Sequence, residues 1–231
     1  MPGWVGTVLP PLKFQPAHAK EEKPIPVAIT RYGTPAERDF DAAAEESVVW
    51  RDADELKTPH VSRFAKGFAC RDCEDPGDPV LSGVAMEGNG LIDPARHRDD
   101  PVLLARLAAG FRYLTLDRWD PVTRTPFFIL SREPVSSSGS PLIEGRTAAV
   151  REGNALFPKG RWIELLDGNR SLGYWLIDDD CSSCASDAHV DAYVPPWDDM
   201  LLKNPSARLL PPGEEPRGKA GLTKAGTPGI L

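Results

Sequence analysis

The sequence has no long hydrophobic run and nothing that resembles an export signal. A transmembrane helix needs about 20 consecutive apolar residues, and the 231-residue chain contains no such run. The start, MPGWVGTVLPPLKFQPAHAKEEKP, lacks a positively charged segment followed by an uninterrupted apolar one, because Pro10 and Pro11 interrupt its hydrophobic part. The sequence therefore predicts no membrane span and no secretory signal.

Excess positive charge is also lacking. The formal net charge is −7, and binding to a nucleic-acid backbone relies on Lys and Arg to displace counterions. We therefore expect no nucleic-acid partner.

Proline, in contrast, is abundant: the chain has 24 prolines, about twice the average usage. Because proline fixes φ and removes a backbone donor, the chain cannot consist mainly of long helices.

Two helices are predicted from their terminal signals. Thr34-Pro35-Ala36-Glu37 is a capping box, with a Thr hydroxyl, Pro at the first helical position and Glu three residues after the cap. It predicts a helix that continues to about Glu46. A second helix is predicted over residues 101–109, with Asp100 as its N-cap and Gly110 as its end.

The other ordered segments are predicted to be short strands. They are β-branched or aromatic, and Gly, Pro, Asp or Asn bound them. Asp167-Gly168-Asn169 marks a turn between two of them. Many short strands with few helices indicate a mainly β fold, either a small barrel or a sandwich. The predicted strands are 83–88, 111–116, 127–130, 147–150, 161–166, 173–177 and 190–194.

The ends of the chain differ in composition from residues 145–194. Residues 1–29 are Pro-rich and mixed in charge, and we expect them to wrap the surface or to be loose. From about Pro205 the Pro, Gly and charge content is that of a flexible tail. Within 145–194, Asp180 and Asp191 lie at the ends of consecutive strand-like segments. A catalytic or sugar-binding site is expected there first.

The four cysteines form two C-x-x-C pairs, Cys70/Cys73 and Cys181/Cys184. Two such pairs can supply a tetrahedral zinc site, although the gap between them is much longer than in a zinc ribbon. Disulfides within or between the pairs, and four free thiols, are the alternatives. Export favours disulfides, whereas the absence of a visible signal favours zinc or thiols.

Several motifs in residues 145–194 occur together in one known family. They are Arg146-Thr147-Ala148-Ala149-Val150, then FPKGRWIEL at 157–165, then the segment from Leu176 to Asp180, and finally Val190-Asp191-Ala192-Tyr193. The region resembles the three-aspartate (3D) domain, a double-psi β-barrel shared by membrane-bound lytic transglycosylase A and related cell-wall proteins. The spacing between the family's last two aspartates is the same here.

The resemblance implies a six-stranded double-psi β-barrel with short peripheral helices and irregular termini. It covers about half of the chain. The predicted organisation is an irregular or helical extension over residues 1–80, the barrel domain over 81–204, and a flexible tail over 205–231. A structural zinc ion at the cysteines is an alternative to disulfides, and the resemblance implies no required cofactor.

The resemblance also implies roles for individual residues. Asp191 corresponds to the proposed acid/base of the transglycosylases, which protonates the leaving oxygen before the C6 hydroxyl attacks to give a 1,6-anhydro product. Asp180 is expected across the groove, as a second catalytic carboxylate. Glu87, His189 and Asp178 are expected to bind substrate. Structural alternatives remain: Asp191 could cap a turn, the acids at 178–180 could form a solvated loop, and His189 could have a purely structural role.

The function implied is cleavage of the peptidoglycan glycan strand, outside the cytoplasm. Two departures favour an alternative: Arg151 stands where the family has its first aspartate, with Glu152 as the nearest acid, and Cys181-Ser182-Ser183 replaces a Thr-Gly-Gly turn. The alternative is a non-catalytic barrel, stabilised by zinc or disulfides, that binds glycan or a protein partner. Either terminal extension is a candidate contact for such a partner.

Overall fold

A computed structural model describes residues 22–41, 43–52, 58–69, 83–123, 125–194 and 202–216. The fold is mainly β, as the sequence predicts. The described strands are β1 (Ile25–Pro26), β2 (Ala28–Tyr32), β3 (Glu45–Asp52), β4 (His60–Ala65), β5 (Asn89–Leu91), β6 (Tyr113–Trp119), β7 (Pro126–Ser131), β8 (Thr147–Val150), β9 (Trp162–Asp167), β10 (Arg170–Asp180), β11 (His189–Tyr193) and β12 (Pro205–Leu209). The helices are α1 (Val84–Glu87) and α2 (Pro101–Ala108), with short 3-10 helices at Glu37–Asp39 and Pro94–Arg96.

The strands form two sheets, of seven and five strands, where the sequence predicted one barrel of six. The seven-stranded sheet has the order β1-β12-β9-β10-β8-β11-β2 and curls into a half barrel. Its edge strands β1 and β2 are separated only by Val27, whose N–H donates to the carbonyl of Pro205 (3.2 Å). Both edges of the curled sheet therefore lie on one short stretch of chain.

The five-stranded sheet has the order β4-β3-β7-β6-β5. Each sheet has its own hydrophobic core, since large side chains without exposed surface form one cluster on each. The cluster on the five-stranded sheet includes Trp50, Phe64, Phe68, Leu103 and Leu114, and the cluster on the curled sheet includes Phe157, Ile163, Leu165, Trp175 and Ile177.

Local sequence signals predicted α2 and several strands correctly. Asp100 caps α2, since its side chain accepts from the N–H of Leu103 at 2.9 Å, and the helix ends before Gly110, which has a φ of 93°. The predicted strands between 111 and 194 correspond to β6 to β11: β8 has the predicted bounds, and the others have shifted ends. Gly168, with a φ of 61°, lies in the turn that joins β9 to β10.

Two local predictions are wrong. The capping box does not begin a helix to Glu46: only Glu37–Asp39 is helical, and β3 begins at Glu45. The Thr34 hydroxyl, which should cap that helix, instead lies 2.6 Å from the hydroxyl of Tyr193. The predicted strand 83–88 is the helical turn α1. At Thr34 a distant contact outweighs the local preference.

Segments near both ends of the chain contribute to the sheets. β1 to β4 precede residue 81, and β12 lies within the segment whose composition predicted a flexible tail. β12 pairs with β9 and β1, so the curled sheet includes residues from before 81 and after 204. No helix among the described residues is long and apolar enough to cross a membrane.

Candidate functional site

A groove of ≈ 1050 Å³ is lined by residues of both sheets. The curled sheet contributes β2, β11 and the ends of β8 and β10, while α1 and β6 line it from the other sheet. Four of the five carboxylate and histidine side chains expected at the site lie in this groove, namely Asp191, Asp180, Glu87 and His189. The fifth, Asp178, is not among the lining residues.

The alternation of β11 directs Asp191 into the groove. Val190 and Ala192 have no exposed surface and pack in the core of the curled sheet, so the intervening side chain points the other way. Asp191 was expected to be exposed, but only 9% of its surface is accessible. β2 pairs with β11 in parallel, and this places Thr30 beside Asp191.

A chain of hydrogen bonds leads from the backbone to Asp191. The Thr30 hydroxyl donates to Oδ1 of Asp191 at 2.8 Å, so it must accept from Nε2 of His189, also at 2.8 Å. Nδ1 of His189 accepts from the N–H of Ala185 at 3.4 Å. These contacts together assign the Nε2–H tautomer to His189, because Nδ1 is then the acceptor.

The surroundings of Asp191 favour its protonated form. Burial raises the pKa of its carboxyl group to about 7, although the hydrogen bond from Thr30 opposes that rise. The negative charges of Glu87 and Asp179 raise the pKa further. A carboxyl group with this pKa can hold a proton and release it near neutrality, which is the requirement for a general acid.

The other oxygen of Asp191 faces a disulfide. Cys181 and Cys184 are bonded to each other, and Sγ of Cys181 lies 3.8 Å from Oδ2 of Asp191. A disulfide sulfur carries no hydrogen, so this contact supplies no hydrogen bond. One of the arrangements considered for the cysteines, closure within a pair, is thus present at Cys181/Cys184.

The other predicted pair, Cys70/Cys73, lies outside the described residues. A zinc site built from all four cysteines would need the two sulfurs that the disulfide occupies. Among the described residues, no group of three or more His, Cys, Asp or Glu side chains is placed to hold a metal ion.

The three aspartates at the end of β10 have different surroundings. Asp178 accepts from the hydroxyl of Ser138 at 2.9 Å, outside the groove. Asp179 is buried and accepts from Tyr32 (2.9 Å) and from the backbone of Ser137 (2.8 Å). Burial, with the charge of Asp179, raises the pKa of the Tyr32 phenol. Asp179 is therefore held as part of the framework.

Asp180 is the member of this trio that lies open to the groove. Its Oδ2 accepts from Nζ of Lys159 at 2.6 Å. Its Oδ1 is buried without a hydrogen-bond partner among the described residues. Glu87, at the end of α1, accepts from the N–H of Gly33 at 3.1 Å. Asp180 was expected to face Asp191, but the carboxylates whose charge acts on Asp191 are Glu87 and Asp179.

Three residues of the groove were not predicted from the sequence: Thr30, Tyr32 and Asp179. Thr30 and Tyr32 lie at the boundary of a segment expected to be loose, although Ile29-Thr30-Arg31-Tyr32 is β-prone and was a usable signal. Asp179 is one of three adjacent acids. It differs from its two neighbours in being buried, because side chains alternate along β10.

Comparison of the chain with protein-family models gives no match, and comparison with curated proteins gives none either. The function is therefore inferred from the groove and its residues.

Proposed function

We propose that the protein is a peptidoglycan-active enzyme that cleaves the glycan strand in the manner of a lytic transglycosylase, with Asp191 as its acid/base. The observation that carries this proposal is a buried carboxyl group whose pKa is raised to about 7, on the wall of an open groove of ≈ 1050 Å³. An ordinary surface aspartate is ionised near neutrality and has no proton to donate.

The proposed reaction needs one carboxyl group that gives and then takes a proton. Protonated Asp191 donates to the bridging oxygen as the bond from that oxygen to the anomeric carbon breaks. The resulting carboxylate accepts the proton of the C6 hydroxyl of the same sugar, whose oxygen bonds to the anomeric carbon. The product is a 1,6-anhydro sugar, and Asp191 regains its proton without consuming water.

Thr30 and His189 support both states of Asp191. The Thr30 hydroxyl donates to Oδ1, and its own oxygen is held by Nε2–H of His189. This contact fixes the orientation of the carboxyl group and moderates the rise of its pKa. Because His189 reaches Asp191 through Thr30, we propose a positioning role for it in addition to the expected contact with substrate.

Asp180 and Glu87 are proposed to bind the glycan. Asp180 lines the groove with 32% of its side chain exposed, so its carboxylate is open to a sugar hydroxyl that donates a hydrogen bond. The Lys159 ammonium holds this carboxylate through its Oδ2 at 2.6 Å. Glu87 lies on the wall contributed by α1 and adds negative charge near Asp191, where positive charge develops on the sugar.

The strand count of the curled sheet supports a double-psi barrel as its fold. β1 and β2 form its two edges and are separated by Val27 alone. If they are treated as one interrupted strand, the sheet has six strands and its edges meet. The sheet also mixes parallel pairs, β2 with β11 and β8 with β10, with antiparallel ones.

The disulfide is consistent with action outside the cytoplasm. Disulfides persist in oxidising compartments and are rare in the cytosol, and Cys181–Cys184 lies directly at the proposed site. Peptidoglycan, the proposed substrate, also lies outside the cytoplasm. No zinc or other cofactor enters the proposed reaction.

The test is digestion of purified peptidoglycan, with the products identified by mass spectrometry. We expect 1,6-anhydro products from the wild-type protein. Asp191→Asn keeps the shape of the side chain but has no transferable proton, so cleavage should fall by about 100- to 10,000-fold. Asp187→Asn is the matched control, since Asp187 precedes β11 but does not line the groove. Equal cleavage by wild type and Asp191→Asn would contradict the assignment.

The alternative is a barrel that binds glycan, or a protein partner, without cleaving it. Arg151, which replaces the family's first aspartate, lines the groove beside the exposed Glu152. The Thr-Gly-Gly turn is replaced by the disulfide segment. Retention of wild-type protein on peptidoglycan without any product would support this alternative.

A further inference from the structure

The disulfide at the end of β10 contacts the proposed acid/base directly. Sγ of Cys181 lies 3.8 Å from Oδ2 of Asp191, and both cysteines line the groove. Each cysteine is only 5% exposed, and the pair packs with Ala149 and Tyr32. The disulfide therefore forms part of the apolar surface that covers the Asp191 carboxyl group. Breaking the disulfide changes the surroundings of that carboxyl group directly.

We propose that Cys181–Cys184 is a reversible redox-modification site, at which reduction by a dithiol replaces the sulfur beside Asp191 with a thiol that donates a hydrogen bond to the carboxylate. The site and its effect on Asp191 stand on the geometry alone. The consequence for catalysis rests on the proposed function.

The chemical state of Cys181 matters because the two oxygens of Asp191 are hydrogen-bonded unequally. Oδ1 accepts from Thr30, whereas Oδ2 faces a sulfur without a hydrogen. A thiol is a weak donor, and its hydrogen bond to a charged acceptor is stronger than one to a neutral acceptor. Reduction therefore stabilises the ionised carboxyl group, in opposition to the effect of burial.

The exchange balances with the dithiol as the sole co-reactant. One thiolate of the dithiol attacks Sγ of Cys184, the Cys181–Cys184 bond breaks, and a mixed disulfide forms. Cys181 leaves as a thiolate and takes the proton of the Asp191 carboxyl group, its neighbour at 3.8 Å. The second thiol of the reductant then displaces Cys184, which takes a proton from solvent. The dithiol ends as a disulfide, the cysteine pair has gained two electrons, and Asp191 is ionised.

The charges around Asp191 do not themselves change in this reaction. The titratable groups nearest to it are Glu87 on α1, Asp179 on β10, Tyr32 on β2 and His189 on β11. Other charged side chains that line the groove are Arg31, Asp117, Arg118, Arg151, Glu152 and Asp180. The new donor at Cys181 is therefore the expected cause of any shift in Asp191.

The expected shift is about one pH unit downward in the titration midpoint of Asp191, the size of one hydrogen bond to a charged group. From a midpoint near 7, such a shift lowers the protonated fraction at pH 7 from about one half to about one tenth. Glycan cleavage at that pH should then fall about fivefold on reduction and recover on reoxidation.

The experiment follows the Asp191 carboxyl carbon by NMR in full-length protein labelled on aspartate. Cys70→Ser and Cys73→Ser are present throughout, so that Cys181 and Cys184 alone can respond to the reductant. Asp191→Asn assigns the resonance, and the midpoint is measured with and without dithiothreitol. A lower midpoint in the reduced protein supports the proposal, and an unchanged midpoint overturns it.

Two variants distinguish the effect of the new thiol on the Asp191 midpoint from the effect of losing the disulfide cross-link. Both lack the disulfide, but Cys184→Ala keeps a thiol beside Asp191 and Cys181→Ala does not. We expect the low midpoint in Cys184→Ala and the high one in Cys181→Ala. Equal midpoints would overturn the proposal. The titration needs no substrate, so it gives a result even if wild-type protein fails to cleave peptidoglycan, which would contradict the proposed function alone.

Discussion

Two buried carboxyl groups, Glu37 and Asp191, each lie near a histidine, but they are hydrogen-bonded in different ways. Glu37 lies against the five-stranded sheet with no exposed surface. Its Oε1 accepts from the backbone of Ala65 (3.1 Å), and its Oε2 accepts from the backbone of Asp93 (3.0 Å) and from Nε2 of His97 (2.8 Å). Three donors from separate segments therefore share one carboxyl group.

Asp191 has much less support. Its Oδ1 accepts from the Thr30 hydroxyl, its Oδ2 faces a disulfide sulfur, and His189 reaches it only through Thr30. A buried polar group with all its bonds made stabilises a fold, whereas one left short of partners costs free energy. The difference indicates a framework role for Glu37, and it fits the acid/base role proposed for Asp191.

The largest effect that tests this comparison is on stability. Glu37→Ala leaves two backbone N–H groups and His97 without their acceptor in the interior, so the free energy of unfolding should fall by about 3–5 kcal/mol. Asp191→Ala should cost about 1 kcal/mol or less at pH 7, because it removes one good hydrogen bond together with a poorly solvated acid. Urea denaturation measures both variants. Equal losses would show that the two carboxyl groups do not differ in this way.

The second test is the pH dependence of stability that Asp191 introduces. The folded protein keeps the Asp191 proton up to about pH 7, whereas the ordinary pKa is 3.8, so the folded state binds more protons between these values. Stability should therefore fall as pH rises through this window, by up to about 1.4 kcal/mol per pH unit, and level off above it. The difference in unfolding free energy between wild type and Asp191→Asn isolates this contribution. A difference that does not vary with pH would contradict the raised pKa.

The third test alters the hydrogen bond to Asp191. Thr30→Val keeps the side-chain shape but removes the hydroxyl, whose hydrogen bond lowers the pKa of Asp191. We expect the pKa to rise by about one unit, since one hydrogen bond to a charged group is lost. NMR titration of the carboxyl carbon measures the change. Thr30→Ser keeps the donor and should keep the wild-type pKa, so an equal rise in both variants would assign the effect to packing.

The sequence predicted the elements that depend on neighbouring residues. Asp100 caps α2 by accepting from Leu103, three residues later in the chain, and the turn at Gly168 joins two consecutive strands. The helix predicted after Thr34 failed because the partners of Thr34 and Glu37 are distant along the chain, at Tyr193, Ala65, Asp93 and His97. No local pattern contains such contacts.

The candidate site was predictable only on the strands that carry its motifs. β10 and β11 were recognised, and with them Asp180, His189 and Asp191. The partner strand β2 pairs with β11 from about 160 positions earlier in the chain, so Thr30 could not be assigned to Asp191. The sequence also could not show that Asp191 is buried, and burial is the main cause of the raised pKa.

The smallest expected effect concerns Asp178, which the sequence predicted to bind substrate. Asp178 lies outside the groove and accepts from Ser138 at 2.9 Å, and an asparagine oxygen can still accept that bond. Asp178→Asn should therefore change the unfolding free energy by less than about 0.5 kcal/mol and leave retention on peptidoglycan unchanged.

Asp180→Asn is the matched variant two residues along the same strand. It keeps an acceptor but loses the negative charge that Lys159 contacts at the groove, so we expect it to weaken retention measurably. A pull-down of both variants with peptidoglycan at one salt concentration compares them directly. If Asp178→Asn is retained less than Asp180→Asn, glycan is bound beside Asp178, and the groove is not the binding site.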